Sequence, residues 1–313
     1  MEWIKKGLIF SGLNEFDWNE KGYASVPTVY KVSDEILRIY YTGRDVHNKT
    51  TISFIEVDAN NPNIILYIHK EPVLISGGMG MFDDCGVMVS HVLKVENEVW
   101  MYYIGWNVRN TIAYHNSIGL AISNDNGVTF NKFSDGPLFD RTYKEPYFNA
   151  APFILRENDI WRMWYLSNTK WVEYEGKSEP FYHIKYAESK NGIDWIREGK
   201  IAIDYKDERE CGIVRACVLK DNKIYKMWYA HRNLDNYRIN KSSSYRIGYA
   251  ESNDGVDWIR KDNEVGIDVS EKGWDSEMIE YPFVYDHNNK RYMFYNGNTF
   301  GKTGFGYAVW GEK

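Results

Sequence analysis

Long hydrophobic runs are missing from these 313 residues. No stretch approaches the roughly 20 apolar residues that a membrane span requires. The opening residues, Met1-Glu-Trp-Ile-Lys-Lys-Gly7, hold no apolar segment long enough for a secretory leader. A membrane partner is therefore not expected, and a cytoplasmic location is. Cysteine is scarce: Cys85, Cys211 and Cys217 make an odd number, and no pair has zinc-ligand spacing. That pattern reads as reduced thiols and calls for neither a metal nor another cofactor. Positive charge is in deficit, with 38 Lys plus Arg against 44 Asp plus Glu and a net charge of −6. Without an extended basic field to gather phosphate backbones, nucleic acid is not an expected partner.

Aromatic residues are plentiful instead, at 16% of the chain, with 25 Tyr and 12 Trp. Such an excess suits strands and sugar-binding surfaces better than helices. One strand motif recurs five times: Ile39-Tyr-Tyr-Thr-Gly43, Met101-Tyr-Tyr-Ile-Gly105, Met163-Trp-Tyr-Leu-Ser167, Met227-Trp-Tyr-Ala-His231 and Met293-Phe-Tyr-Asn-Gly297. Its second aromatic forms a column, Tyr41, Tyr103, Tyr165, Tyr229 and Tyr295, at spacings of 62, 62, 64 and 66 residues. Repeats of that length hold four strands plus loops, and five of them fill the chain.

An apolar strand precedes each motif: Ser25-Val-Pro-Thr-Val-Tyr30, Met88-Val-Ser-His-Val-Leu93, Ala150-Ala-Pro-Phe-Ile-Leu155, Val214-Arg-Ala-Cys-Val-Leu219 and Glu280-Tyr-Pro-Phe-Val-Tyr285. A third strand follows, as in Ile118-Gly-Leu-Ala-Ile122 and Ile247-Gly-Tyr-Ala250, and then a turn such as Asp254-Gly255 leads to Trp258-Ile-Arg260. The aromatic strands alone would also suit a β-sandwich. The termini favour a ring: the last repeat stops after its third strand, Phe305 to Val309, while Trp3-Ile-Lys-Lys-Gly7 resembles Trp195-Ile-Arg-Glu-Gly199. The expectation is an all-β, five-bladed β-propeller with four-stranded antiparallel blades, residues 1–313 forming one domain and the N-terminal strand completing the last blade. Ser123-Asn-Asp-Asn-Gly-Val-Thr-Phe130 looks like the Asp-box turn of sialidases, with shorter versions at Ser189 and Ser252. It reads as a structural hairpin.

Polar residues collect where such a propeller opens its central channel. After the aromatic strands come Arg44, Asp45, Trp106, Asn107, Asn168, His231 and Arg232; around the inner strands come Asp84, Asn149, Glu210, Arg215 and Glu280. Asp84-Cys-Gly-Val and Glu210-Cys-Gly-Ile align, which puts an acid at one height in two blades. Glycosidic cleavage needs an acid to protonate the leaving oxygen and a carboxylate to attack or to activate water. Asp84, Glu210 and Glu280 are accordingly the candidate catalytic residues. Arg44, Asp45, Trp106, Asn107, Asn149, Asn168, Arg215, His231 and Arg232 are the candidate binding residues, and the arginines could grip an anionic sugar or a phosphate. His91, inside an inner strand, reads as a core histidine, and Trp171 as a stacking platform or packing.

The blade pattern and Glu280-Tyr-Pro282 resemble the five-bladed clan containing arabinanases, β-xylosidases, invertases and levansucrases. The resemblance implies a carbohydrate or glycoconjugate substrate, polysaccharides included, and a general-acid role for Glu280, the clan's acid standing in Glu-Gly-Pro or Glu-Cys-Pro. The clan's acid directly before the inner-strand proline is missing: Val26 precedes Pro27, Ala151 precedes Pro152, and Arg215 holds the place in blade four. The chain also looks similar to mannoside phosphorylases, without their Glu-Asp-Pro-Arg signature. A non-hydrolytic glycan-binding, nucleotide-sugar-binding or transferase-associated propeller is the alternative reading.

Overall fold

The computed structural model describes residues 2–311. It is almost wholly β, its helical content limited to two 3-10 turns and the four-residue turn Asn298–Gly301. The chain opens with β1 (Glu2–Phe10), then forms β2 (Ser25–Lys31), β3 (Ile36–Arg44), β4 (Thr50–Asp58) and β5 (Ile65–Ile68) as one antiparallel meander. A second contains β6 (Gly86–Val95), β7 (Glu98–Val108), β8 (Tyr114–Ser123) and β9 (Asn131–Lys132). The third comprises β10 (Asn149–Glu157), β11 (Ile160–Tyr174) and β12 (Lys177–Ser189), whose outer edge takes β13 (Trp195–Ile196) and β14 (Ile201–Ile203). The fourth runs through β15 (Glu210–Asp221), β16 (Ile224–Asn233), β17 (Arg246–Ser252) and β18 (Ile259–Arg260). In the fifth, β19 (Glu280–His287), β20 (Lys290–Asn296) and β21 (Phe305–Gly311) are joined by β1, with Trp3 opposite Trp310. The pairing of N-terminal and C-terminal strands is thus observed.

Each first strand touches the first strand of the next unit, and β19 touches β2, so the contacts return to their start. Strand pairing between units is sparse, limited among the described residues to single parallel bridges at Thr50–Gly86 and Tyr182–Gly212. Side chains therefore hold the units together, and the hairpins read as Asp-boxes do part of this. Ser123 and Asp125 accept the backbone N–H groups of residues 127 to 129, and the same arrangement recurs at Ser189 to Asp194 and Ser252 to Asp257. The carbonyl at each turn's glycine then accepts from the preceding unit: Tyr40 to Gly127 at 2.6 Å, Tyr102 to Gly192 at 2.7 Å and Trp164 to Gly255 at 2.9 Å. Tyr292 of the fifth unit donates to the Asn60 carbonyl of the first at 3.3 Å.

The tyrosine column is buried, and four of its five hydroxyls donate to a carboxylate beside a cation from the outer strand. Tyr103 donates to Asp83, which pairs with Lys132 at 2.6 Å. Tyr165 donates to Glu145, which holds Lys185 and Arg197 at 2.8 and 3.0 Å. Tyr229 donates to Asp262, paired with Arg260 at 2.5 Å. Tyr295 donates to Asp275, whose cation is Lys5 of β1 at 2.7 Å. Asp83, Glu145 and Asp275 are buried and Asp262 is half-buried, each compensated by a hydrogen bond and an opposite charge as burial requires. The arrangement also explains the third-strand glycines: a Cβ at Gly119 or Gly248 would lie 2.2 or 2.4 Å from the ring of Tyr103 or Tyr229. The third unit, with Lys185 opposite Tyr165, uses that place for the cation itself.

Replacing Lys5 by Met removes the cation from Asp275 and should cost about 1–3 kcal/mol, read as a lowered urea midpoint. Lys31→Met, which breaks an exposed pair with Asp34, should leave the midpoint unchanged. Equal effects from the two variants would show that the buried lock does not bear on stability.

Candidate functional site

Antiparallel order places the connections between second and third strands, and those leading into each first strand, at one end of the units. The first strands bulge just inside that end. In units one, three, four and five the bulged residue is in the left-handed region: Val26, Ala151, Arg215 and Tyr281, with φ between 46 and 60°. A side chain there is strained, at about 1–2 kcal/mol per residue. The strain is shared by four units, so it belongs to the way the first strands turn around the centre.

Glu280 begins β19 and is fully buried. Its Oε1 accepts a 3.3 Å hydrogen bond from Asn296 Nδ2, while Oε2 has no partner among the described residues. Asn296 is oriented from the other side, because its Oδ1 accepts the Val26 backbone N–H at 2.9 Å. Gly301 presses on this amide; a Cβ there would sit 2.9 Å from Asn296 Nδ2 and 2.7 Å from Ser25. Burial pushes the Glu280 carboxyl up to about 8, against smaller lowering by Asn296 and the Arg232 charge. At neutral pH it is protonated. With Oε1 engaged as an acceptor, Oε2 is the oxygen left without a partner among the described residues.

The other two acids have different surroundings. Glu210 is fully buried but saturated: Arg260 meets its oxygens at 2.6 and 3.0 Å, His231 Nδ1 lies 3.1 Å away, and the Lys206 N–H donates at 2.9 Å. Bonds from His231 and Arg260 outweigh burial and hold its carboxyl down at about 2. Asp84 is half-buried and turned back on its own loop, where Oδ2 accepts the Gly80 N–H at 3.0 Å and Oδ1 is unpartnered. Asp84 and Glu210 do stand at corresponding positions, each two residues before the glycine, Gly86 or Gly212, that bridges to the preceding unit, but their surroundings differ. The three carboxyls share no hydrogen-bond partner, and one is protonated, one locked in an ion-pair network and one tied to a loop.

The binding candidates divide similarly. His231 is spent on Glu210, and Arg232 is caged: its Nε donates to the hydroxyls of Tyr182 and Tyr245 at 3.2 and 3.0 Å, Nη1 meets Cys211 Sγ at 2.7 Å, and the guanidinium lies 3.6 Å over Tyr237. Asp45 caps its loop through the Lys49 N–H, and Trp106 donates to Thr50 at 2.7 Å. Asn107 reaches the Met81 carbonyl at 3.5 Å, and Asn149 accepts from Arg197 at 3.0 Å. Both side-chain atoms of buried Asn168 are unpartnered. Arg44, half-buried over Tyr23, has no carboxylate bond, and Arg215 is fully buried with Nη2 on Thr28 Oγ1 at 2.8 Å.

A residue outside the binding candidates links these groups. Tyr281 interacts electrostatically with Glu280, Arg215, Tyr182 and Tyr114, and Arg44 feels it in turn. Its ring lies 6.5 Å from that of Tyr245 and packs in one cluster with Tyr114, Tyr182 and Phe300. The signal was present, since Tyr281 occupies the same pre-proline place as Val26 and Ala151. Trp171 joins the cluster edge-on to Tyr114 and lines an adjoining cleft of about 410 Å³ with Asn110, Glu173 and Lys177.

In fold this chain resembles solved glycoside hydrolases at low sequence identity. It is similar to a glycoside hydrolase (TM-score 0.73, 16% identity, 98% of this chain and 91% of that one) and to BT0996 in an RGII complex (0.71, 17%, 98% and 90%). It is also similar to a thermostable family-43 glycoside hydrolase (0.63, 16%, 93% and 90%). At whole-chain level it belongs to the family of two Mycobacterium tuberculosis proteins, Uncharacterized protein MT1551 of strain CDC 1551 / Oshkosh and Uncharacterized protein Rv1502 of strain ATCC 25618 / H37Rv. These are 38% and 37% identical over 309 residues, covering 99% of this chain and 99% of each relative. No protein-family profile matches the sequence.

Glu280 keeps its proton in the folded chain up to about pH 8 but releases it near its ordinary value of 4.5 once unfolded. The native state then holds the extra proton between those values, so its stability falls as pH rises through the window. Thermal unfolding from pH 5 to 8 should show this slope in the wild type and a flatter one in Glu280→Gln. Identical slopes would mean that Glu280 is already ionised in the fold.

Proposed function

We propose that residues 1–313 form one closed five-bladed propeller acting as a carbohydrate-active enzyme of the glycoside-hydrolase type, with Glu280 as its general acid. The reading is carried by one observation: a fully buried carboxyl, bonded only through Oε1 to the Asn296 amide, whose Oε2 has no partner among the described residues. Oε2–H is donated to the glycosidic oxygen as the C–O bond breaks, and the resulting carboxylate is stabilised by Asn296 Nδ2 and by the Arg232 charge. Water supplies the new bond to the anomeric carbon. Asp84, half-buried with one oxygen unengaged, is the best-placed remaining acid to take the proton from that water. Tyr281, Tyr245 and Trp171 provide aromatic faces for a pyranose ring. The substrate in this reading is a small saccharide or glycoconjugate met in the cytoplasm.

A specific observation favours a second reading. Val26 and Ala151 stand where the clan places acids, and nothing ionisable replaces them at those two bulges. A propeller that binds a glycan or nucleotide-sugar without cleaving it, or a phosphorylase using phosphate in place of water, would have this form.

Screening nitrophenyl glycosides with and without phosphate separates the readings. Turnover without phosphate supports hydrolysis, turnover only with it supports phosphorolysis, and saturable binding alone supports the scaffold. For the hydrolase, Glu280→Gln should lower kcat by about 10²- to 10⁴-fold with the thermal transition preserved. The wild-type rate should decline above about pH 8 as the acid loses its proton. Full activity in Glu280→Gln would remove this residue from the chemistry.

A further inference from the structure

Arg215 is a buried cation without a carboxylate partner among the described residues. It leaves β15 at the bulge, in the position held by Val26, Ala151 and Tyr281 elsewhere, and is fully shielded from solvent. Nη2 donates to Thr28 Oγ1 at 2.8 Å and reaches the Pro27 carbonyl at 3.4 Å, whereas Nε and Nη1 have no partner among the described residues. The guanidinium lies 5.7 Å over the Phe283 ring. Its neighbour His91 is also buried, with Nδ1 unpartnered, and packs 4.3 Å from Phe153 and 6.1 Å from Phe283. Burial, and secondarily the Arg215 charge, push His91 down to about 3, so the ring is neutral and adds no charge. Thr28, His91, Phe153, Arg215 and Phe283 come from units one to five in turn, so Arg215 reaches into the common centre.

A second observation points the same way. Arg215 and Arg44 interact with Tyr281 and Arg232 with Glu280, the carboxyl that burial holds in its protonated form at neutral pH, while Arg44 has Asp45 beside it. Arg215 itself stays charged there, burial pulling it down only to about 10. The centre thus holds a charged guanidinium with two unpartnered nitrogens inside a chain of net charge −6. A charge this deep costs several kcal/mol unless something pairs with it, and low-dielectric walls focus its field on an incoming anion. We infer that Arg215 is the recognition residue for an oxyanion, a carboxylate or phosphate group, borne by the molecule that enters the hub. Two free guanidinium nitrogens and a neutral imidazole can donate to such a group, while the sugar ring meets the aromatic cluster above it. Glu280 then faces the glycosidic oxygen of an acidic sugar. This deepens the glycosidase reading and rests on it for the catalytic consequence alone.

Calorimetric titration of the full chain with sodium glucuronate, glucose 6-phosphate, inorganic phosphate and neutral glucose tests the inference. The wild type should bind the anions and Arg215→Met should bind them at least about tenfold more weakly. Arg215→Lys should be intermediate, since an ammonium lacks the planar donor set. Arg215→Met removes an uncompensated buried charge, so its melting temperature should equal or exceed that of the wild type; if it does not fold, Arg215→Lys decides the matter. Preference for the acidic sugars over phosphate puts the oxyanion on the substrate, and equal affinity for phosphate makes it a free co-ligand. No anion binding by the wild type, or equal binding by both variants, overturns the assignment. Anion binding that persists while every glycoside is left uncleaved would sink the Glu280 reading and leave this one standing.

Discussion

The rest of the structure depends on the bond between a buried tyrosine hydroxyl and a buried or half-buried carboxylate. Four of the five units contain it, and in each a cation from the outer part of the same sheet neutralises the acid. Burying a carboxylate is costly unless hydrogen bonds and an opposite charge replace its water, so the contact fixes three strands and a loop at once. In the fifth unit the cation is Lys5, which makes the pairing of the chain's two ends an electrostatic as well as a hydrogen-bonded junction. The first unit is the exception. Tyr41 lies opposite Ser53 and has no carboxylate partner among the described residues.

That constraint decides which acids are open to chemistry. Asp83, Glu145, Asp262 and Asp275 are consumed by the locks, and Glu210 is drawn in through Arg260, which it shares with Asp262. Glu280 escapes because its neighbours are an amide and aromatic rings rather than lysine or arginine hydrogen bonds. Desolvation then acts on it almost unopposed, and the same lack of compensation that makes it expensive makes it a proton donor. Arg215 is the cationic counterpart, buried by the same bulges and equally unpaired. The centre of the molecule therefore holds an acid that burial pushes up and a guanidinium with two unpartnered nitrogens.

Much of the fold was legible because repetition amplifies weak signals. No single Met-Trp-Tyr or Ile-Gly-Tyr segment says more than strand, but five spaced about 62 to 66 residues apart specify units, and the mismatch between the termini specified the exchange of β1 into the last sheet. The Asp-box hairpins were read correctly as structural; that their carbonyls serve as docking points for Tyr40, Tyr102 and Trp164 was not legible, since those partners lie about 90 residues away.

The site was only partly legible, and particular residues show why. Glu210 and Glu280 both stand at the start of a first strand, and the sequence treats them alike; Arg260, fifty positions on, makes one an ion-pair anchor and the absence of such a partner makes the other an acid. The residue types at the hub, the recurrence of the strands and the missing pre-proline acids were set by the order of amino acids alone, because each is a local pattern. Protonation, pairing and exposure were decided by tertiary structure, because the free energy of a charge depends on what surrounds it in space, and chain neighbours supply little of that environment.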